Sequence, residues 1–179
     1  MCTAIFDRKN GAFFGRTLDL ECSYGEKIKR LSRGESYPFI HEGAVTCEYS
    51  LIGTAVSVNS QPLFYDAINE KGLCAAALNF PKFAVYHPQK DAQLNLASFE
   101  LIPYLLSQCA TVGEALNALK GAVITSDSIS DEFKSTTLHW MIADKERAIV
   151  VESVEDGLKI YDNPIGIMTN SPPRKKSSR

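Results

Sequence analysis

Apolar residues along this chain alternate, then recur at helical spacing, then alternate again. Alternation marks half-buried strands, because successive side chains on a strand point to opposite faces. It predicts strands over residues 2–6, 12–18, 28–31, 51–58, 63–68 and 73–78. Asn10-Gly11 separates the first two and tolerates the positive φ of a tight hairpin turn. Asn69-Glu70-Lys71-Gly72 turns the chain between the last two. Across residues 96–109, Leu101, Ile102, Leu105, Leu106 and Cys109 recur at helical spacing. Pro103 lies inside that run and marks a kink or a first turn, since it has no N–H to donate. Thr111-Val112-Gly113-Glu114 has the form of a capping box and opens a second helix, with Ala115, Leu116 and Leu119 on one face. Strands are predicted again over 138–143, 148–154, 158–161 and 165–168.

Strands, two helices and strands, joined by short turns, favour antiparallel pairing over βαβ crossovers. The fold class this implies is α+β, with helices packed on sheet. Composition supports a folded core: of 179 residues, 45% are hydrophobic and 22% charged, which excludes a disordered chain. The formal net charge of -2 supplies no field toward nucleic acid or an acidic membrane. The one basic run, Arg174-Lys175-Lys176 with Arg179, reads as a solvated tail. No segment approaches the roughly 20 apolar residues of a membrane span. Asp7, Arg8 and Lys9 interrupt any signal-peptide core, so a cytoplasmic location is expected. Five cysteines without paired spacing and three scattered histidines give neither a disulfide framework nor a zinc site.

The chemistry begins at Met1-Cys2. A small second residue permits removal of the initiator Met, leaving a free α-amine on the residue that carries a thiol. Such an amine titrates near ~8, so it serves as a base close to neutral pH, and the thiolate is the reactive form of cysteine. A nucleophile using its own amine as base is an established activation route. From the dipeptide alone, Cys2 is equally a small residue in a first strand. Gly15-Arg16-Thr17-Leu18-Asp19 adds to the case, because a hairpin at Asn10-Gly11 brings Asp19 roughly opposite Cys2. A carboxylate there holds an ammonium, and a guanidinium favours a thiolate. Arg16 and Asp19 are three apart, so both reach Cys2 only if the strand bends, bulges or ends near Leu18. Asn79 and Asn170 each close a predicted strand and offer neutral donors to a tetrahedral oxyanion; they also suit turns before proline segments.

Six motifs occur in the order and spacing of one family. They are Met1-Cys2-Thr3, Gly15-Arg16-Thr17-Leu18-Asp19, Asn69-Glu70-Lys71-Gly72-Leu73, Leu78-Asn79-Phe80-Pro81, Thr137-Leu138-His139-Trp140-Met141 and Thr169-Asn170-Ser171-Pro172. Together they resemble the choloylglycine hydrolases, the group of conjugated bile salt hydrolases and penicillin V acylases. The resemblance implies an N-terminal nucleophile hydrolase with an αββα sandwich of antiparallel sheets. It implies Cys2 as nucleophile, Arg16 and Asp19 as its orienting and activating partners, and Asn79 and Asn170 as the oxyanion pair. The substrate it implies is a small amphipathic amide, a bile acid conjugated to glycine or taurine. Asn79 resembles the bile salt hydrolases, whereas the acylases often carry Tyr there. No cofactor is implied, because thiol and amine supply nucleophile and base; a family-like homo-oligomer, a tetramer, is.

The resemblance covers residues 1–172, read as a partial domain, and 173–179 departs from it as a basic tail. Full-length members are nearly twice as long, so the C-terminal part of the fold is expected to be missing. With it go an active-site arginine, further strands and helices, and part of the subunit contacts. The expectation is a marginally stable chain, and an inactive remnant stands as the alternative to an amidase or a penicillin V acylase.

Overall fold

Hydrophobic alternation builds most of the molecule, and its breaks are set by proline, glycine and buried asparagine. The computed structural model describes residues 1–9 and 11–171. The first strands are β1 (Thr3–Asp7), β2 (Phe13–Thr17) and β3 (Lys27–Leu31). A small hairpin, β4 (Ser36–Phe39) and β5 (Gly43–Thr46), then precedes β6 (Leu51–Val58), β7 (Gln61–Asn69) and β8 (Cys74–Asn79). After β9 (Asn95–Ala97) and a 3-10 turn at Ser98–Glu100 come α1 (Leu101–Gln108) and α2 (Val112–Ala118). The chain continues through β10 (Val123–Thr125), β11 (Leu138–Ala143), β12 (Ala148–Val154), β13 (Gly157–Asp162) and β14 (Ile167–Thr169).

Seven antiparallel strands form the main sheet in the order β13-β12-β11-β8-β7-β6-β3. A three-stranded sheet, β14-β1-β2, lies over part of one face, and β9 pairs in parallel with β10. On the other face α1 packs across β6, β7 and β8. There Leu101, Ile102, Leu105 and Leu106 meet Phe64, Ala75, Ala77 and Trp140, all buried. Between the sheets, Ala4, Phe6 and Met168 meet Ala76, Leu78, Met141 and Val150. The layers are therefore helix, sheet, sheet. Among the described residues no helix covers the outer side of β14-β1-β2, where Ile5, Phe13 and Ile167 are exposed. No helix of the described residues is long and apolar enough to cross a membrane.

Pro103 falls in the first turn of α1, so the helix is shorter than its apolar pattern and begins at Leu101. The residues before it go into β9 and the 3-10 turn instead. Glu100, fully buried, accepts hydrogen bonds from the backbone N–H of Ile40 at 2.8 Å and of Ala97 at 2.9 Å. Thr111 caps α2 by accepting from the Glu114 N–H, as a capping residue should. The turn at residues 69–72 is built on buried Asn69, which accepts from the Lys71 and Leu73 N–H groups and donates to the Leu106 and Cys109 carbonyls. One side chain thus pins the β7–β8 turn to the end of α1. The Asn10-Gly11 turn includes Asn10, outside the described residues, but β1 and β2 pair in hairpin register from Thr3↔Thr17 to Asp7↔Phe13. The basic tail at 173–179 also lies outside the described residues.

Candidate active site

The start of the chain lies between two strands that approach it from opposite ends of the sequence. β1 pairs with β2 on one side and β14 on the other, with Thr3 facing both Thr17 and Thr169. β2 ends at Thr17, one residue before Leu18, so of the three departures from a regular strand the chain uses an early end. Continued outward, the register sets Leu18 opposite Cys2 and Asp19 opposite Met1. The Asp19 carboxylate accepts from the Met1 ammonium, and its backbone carbonyl lies 4.0 Å from Cys2 Sγ. Hydrogen bonding from Asp19 raises the Met1 ammonium above the ordinary α-amine value, and the same bond holds the Asp19 carboxyl below its usual range.

Arg16 sits opposite Ala4 and so points inward between the sheets. Its Nη2 donates to the Ala77 carbonyl at 3.0 Å, and Nη1 pairs with Asp66 Oδ2 at 3.5 Å. The side chain is 6% exposed, yet among the described residues Nε and Nη1 make no hydrogen bond. A buried cation with unspent donors beside a cleft is suited to hold developing negative charge or an anionic group.

β14 closes on β1 because Gly166 brings its carbonyl within 2.7 Å of the Phe6 N–H. Gly166 has φ +73°, and a Cβ there would sit 1.9 Å from the Phe6 carbonyl oxygen. One residue past that close approach β14 begins and carries the chain to Asn170 at the site. Asn170 Oδ1 accepts from the Cys2 backbone N–H at 2.7 Å, and its Nδ2 donates to the Asn79 carbonyl. Asn79, the last residue of β8, accepts at Oδ1 from Thr137 Oγ1 at 3.1 Å. Its own Nδ2 makes no hydrogen bond among the described residues.

All five residues singled out in the sequence therefore line one cleft of about 670 Å³: Cys2, Arg16, Asp19, Asn79 and Asn170. Its walls are amphipathic, with Leu18, Leu20, Tyr65 and Leu138 beside Glu21, Glu132 and Lys134. Three contributors escape a sequence reading. Asp66 balances Arg16 across the sheets, and its only local signal is a lone acid in an apolar strand. Thr137, which fixes the Asn79 amide, opens a motif already singled out. Tyr65 is turned to the cleft where the β6–β7 register slips between Thr54 and Ala55, a bulge of the kind found beside active sites. Among the described residues no group of three His, Cys, Asp or Glu side chains is placed to hold a metal ion.

The fold is a two-layer antiparallel sandwich with a cysteine at the head of the small sheet's central strand. The chain belongs to the linear amide C–N hydrolases, choloylglycine hydrolase family, matching over residues 2–176. It is 42% identical over 174 residues to a bile salt hydrolase/transferase of Lactiplantibacillus plantarum, covering 96% of this chain and 53% of that protein. A conjugated bile acid hydrolase of Lactobacillus gasseri is 35% identical over 176 residues, 96% of this chain and 56% of the relative. Among solved structures, a variant of the conjugated bile acid hydrolase from Clostridium perfringens superposes with TM-score 0.89 at 31% identity, covering 97% of this chain and 54% of that one. A penicillin V acylase from Agrobacterium tumefaciens shares the fold at TM-score 0.76 and 22% identity, over 96% of this chain and 53% of that one. The chain spans about half the length of the curated relatives it matches.

Proposed function

We propose that this chain carries the nucleophile half of a hydrolase for the amide bond of glycine- or taurine-conjugated bile salts, with Cys2 as nucleophile after loss of Met1. The observation that carries this reading is convergence. Residues separated by as much as 168 positions meet in one cleft, and the nitrogen that removal of Met1 would free is already held at 2.7 Å by Asn170. Relatives named as bile salt and conjugated bile acid hydrolases support the choice of substrate.

In the proposed mechanism the freed Cys2 amine donates one N–H to Asn170 Oδ1 and turns its lone pair to the thiol. It takes the thiol proton as Sγ bonds to the amide carbon, and the carbonyl electron pair moves onto oxygen. Asn79 Nδ2 is the neutral donor for that oxyanion, since its Oδ1 is engaged by Thr137. Asn170 orients the amine and the Asn79 backbone, a narrower role than the oxyanion pairing implied by the resemblance. As the tetrahedral centre collapses, the C–N bond breaks and the ammonium proton passes to the departing glycine or taurine nitrogen. Water, deprotonated by the same amine, then attacks the thioester and restores the thiol with release of the bile acid. Arg16 supplies fixed positive charge through its unspent donors, and Asp19, released from Met1, is available to the ammonium.

The test pairs intact mass with turnover. The mass should show loss of Met1, and glycocholate or taurocholate should be cleaved faster than penicillin V. Cys2→Ala should abolish all turnover. Hydrolysis that survives Cys2→Ala would remove Cys2 from the mechanism.

A further inference from the structure

Past Asn79 the chain turns, with the Ala84 N–H donating to the Phe80 carbonyl at 3.2 Å. Val85 then exchanges two bonds with Ser153. Its N–H donates to the Ser153 carbonyl at 2.9 Å, and its carbonyl accepts from Ser153 Oγ at 2.6 Å. The His87 N–H donates to the Ile124 carbonyl at 2.9 Å. Anchored on both sides, Tyr86 lays its ring against the helical-side core. Its hydroxyl reaches past that core. Oη donates to the Thr136 carbonyl at 2.6 Å and accepts from the Leu138 N–H at 2.7 Å. Those two groups belong to the peptides on either side of Thr137. The β11–β12 register starts at His139↔Glu152, so Leu138 lies one step beyond that ladder and Tyr86 Oη takes the place of a strand partner. Burial raises the Tyr86 phenol above its ordinary value, which keeps on the hydroxyl the proton that it donates.

Thr137 carries the constraint to Asn79 through two bonds. Its carbonyl accepts from the Phe80 N–H at 2.8 Å, and its Oγ1 donates to Asn79 Oδ1 at 3.1 Å. The first holds the backbone beside Asn79. The second decides which way the amide faces, since an engaged Oδ1 leaves Nδ2 as the donor toward the cleft. A threonine is stiff at χ1, so its Oγ1 is aimed only as well as its backbone is held. We propose that Tyr86 is a positioning residue: its hydroxyl fixes the Thr137 backbone, and through it the Asn79 amide, in the orientation that receives an oxyanion. The core needs only the ring, which Phe supplies equally; the hydroxyl serves Thr137. The oxyanion role rests on the hydrolase reading above, whereas the orientation of Asn79 does not.

The experiment uses the full chain, isotope-labelled for NMR, and compares Tyr86→Phe with Tyr86→Leu, a second hydroxyl-free variant in case one fails to fold. In both, the Asn79 side-chain amide signals should shift and broaden as the amide samples more than one orientation. Tyr37→Phe removes a buried hydroxyl's bond to the Pro62 carbonyl, outside the cleft; it should cost stability and leave the Asn79 signals unchanged. With glycocholate, Tyr86→Phe should lower kcat by roughly tenfold, a fraction of what loss of an oxyanion donor costs, with KM held within about twofold. In an Asn79→Ala background the same substitution should lower kcat by less than about twofold, because residues acting as one unit are not additive. Asn79 signals that respond to neither variant overturn the inference. So does an equal loss of kcat in the two backgrounds, the mark of a merely structural role. Loss of folding in both variants overturns it too, since the hydroxyl then serves the core. A wild-type chain that turns over no glycocholate, while Asn79 still responds to Tyr86→Phe, removes the hydrolase reading and leaves Tyr86 as the residue that orients Asn79.

Discussion

The two faces of the seven-stranded sheet are built from the same kind of alternation and end in opposite states. On the helical side every apolar row of β6, β7, β8, β11 and β12 has a partner, and Leu101, Leu105 and Leu106 are fully buried against it. On the other side the small sheet covers the middle and leaves the row through Ile68, Ile52 and Ile28 open. The candidate site lies on the side with the open row. Cys2, Arg16 and Asn170 belong to strands of the small sheet or their ends, and Asn79 ends the main-sheet strand beneath. The contrast separates two tasks. The helical face supplies stability, while the other face holds polar groups between layers, where Arg16 and Asp66 take volume that apolar packing would otherwise fill.

The sharpest break of that contrast is Leu105→Ala. Leu105 is fully buried on the helical face, and its truncation should cost about 3–4 kcal/mol through lost transfer energy and a residual cavity. Urea denaturation with a two-state fit reads this directly; a loss under about 1 kcal/mol would mean the helical face does not carry the fold. Next comes Gly166→Ala on the site side. A β-carbon cannot occupy a point 1.9 Å from the Phe6 carbonyl oxygen, and φ +73° is strained for alanine. The expected cost is about 2–3 kcal/mol, expressed locally. The Phe6 amide should exchange with solvent faster while amides in β11 and β12 keep their protection. Equal acceleration everywhere would make β14 part of the global core.

How much of this was legible beforehand divides along the same line. β6, β11 and β12 have the predicted bounds, because each is a long apolar run with turn residues on both sides. β4 and β5 escaped prediction: Pro38 and Gly43 read as breakers, and the hairpin is anchored by distant contacts such as Tyr37 Oη to the Pro62 carbonyl. β9 and β10 are three residues each and pair in parallel across the two helices, a signal no local window holds. The five site residues were named from motifs, and the structure brings all five to one cleft. Their contacts were not legible. The bridge from Cys2 through Asn170 to Asn79 depends on β14 returning to β1, and the Arg16 to Asp66 pair on two sheets packing.

A smaller effect separates the faces by pH. Burial pushes the Glu100 carboxyl above its ordinary value, against the hydrogen bonds from Ala97 and Ile40; the pull of His41 and the push of Asp127 are lesser. The folded chain therefore holds that proton to higher pH than the unfolded chain. Its cost is absent below the unfolded value, near ~4.3, and is reached in full as pH climbs past the raised folded value. Glu100→Gln should lose about 1–2 kcal/mol at low pH, where an amide NH2 replaces one acceptor. The deficit should shrink as pH rises, since only the wild type pays for ionising. A melting-temperature gap that is constant or widens from pH 4 to 7 would contradict this assignment.

The smallest expected effect completes the comparison. Ile52 sits in the middle of the open row, bonded in register to Ile68, and is nearly half exposed. Ile52→Ala removes the same class of atoms as Leu105→Ala but leaves no cavity, because solvent already reaches the site. The cost in the isolated chain should be within about 0.5 kcal/mol, the range of ordinary surface changes. A measured cost of about 2 kcal/mol or more, as in a packed core, would show that the open row is buried and that the two faces do not differ.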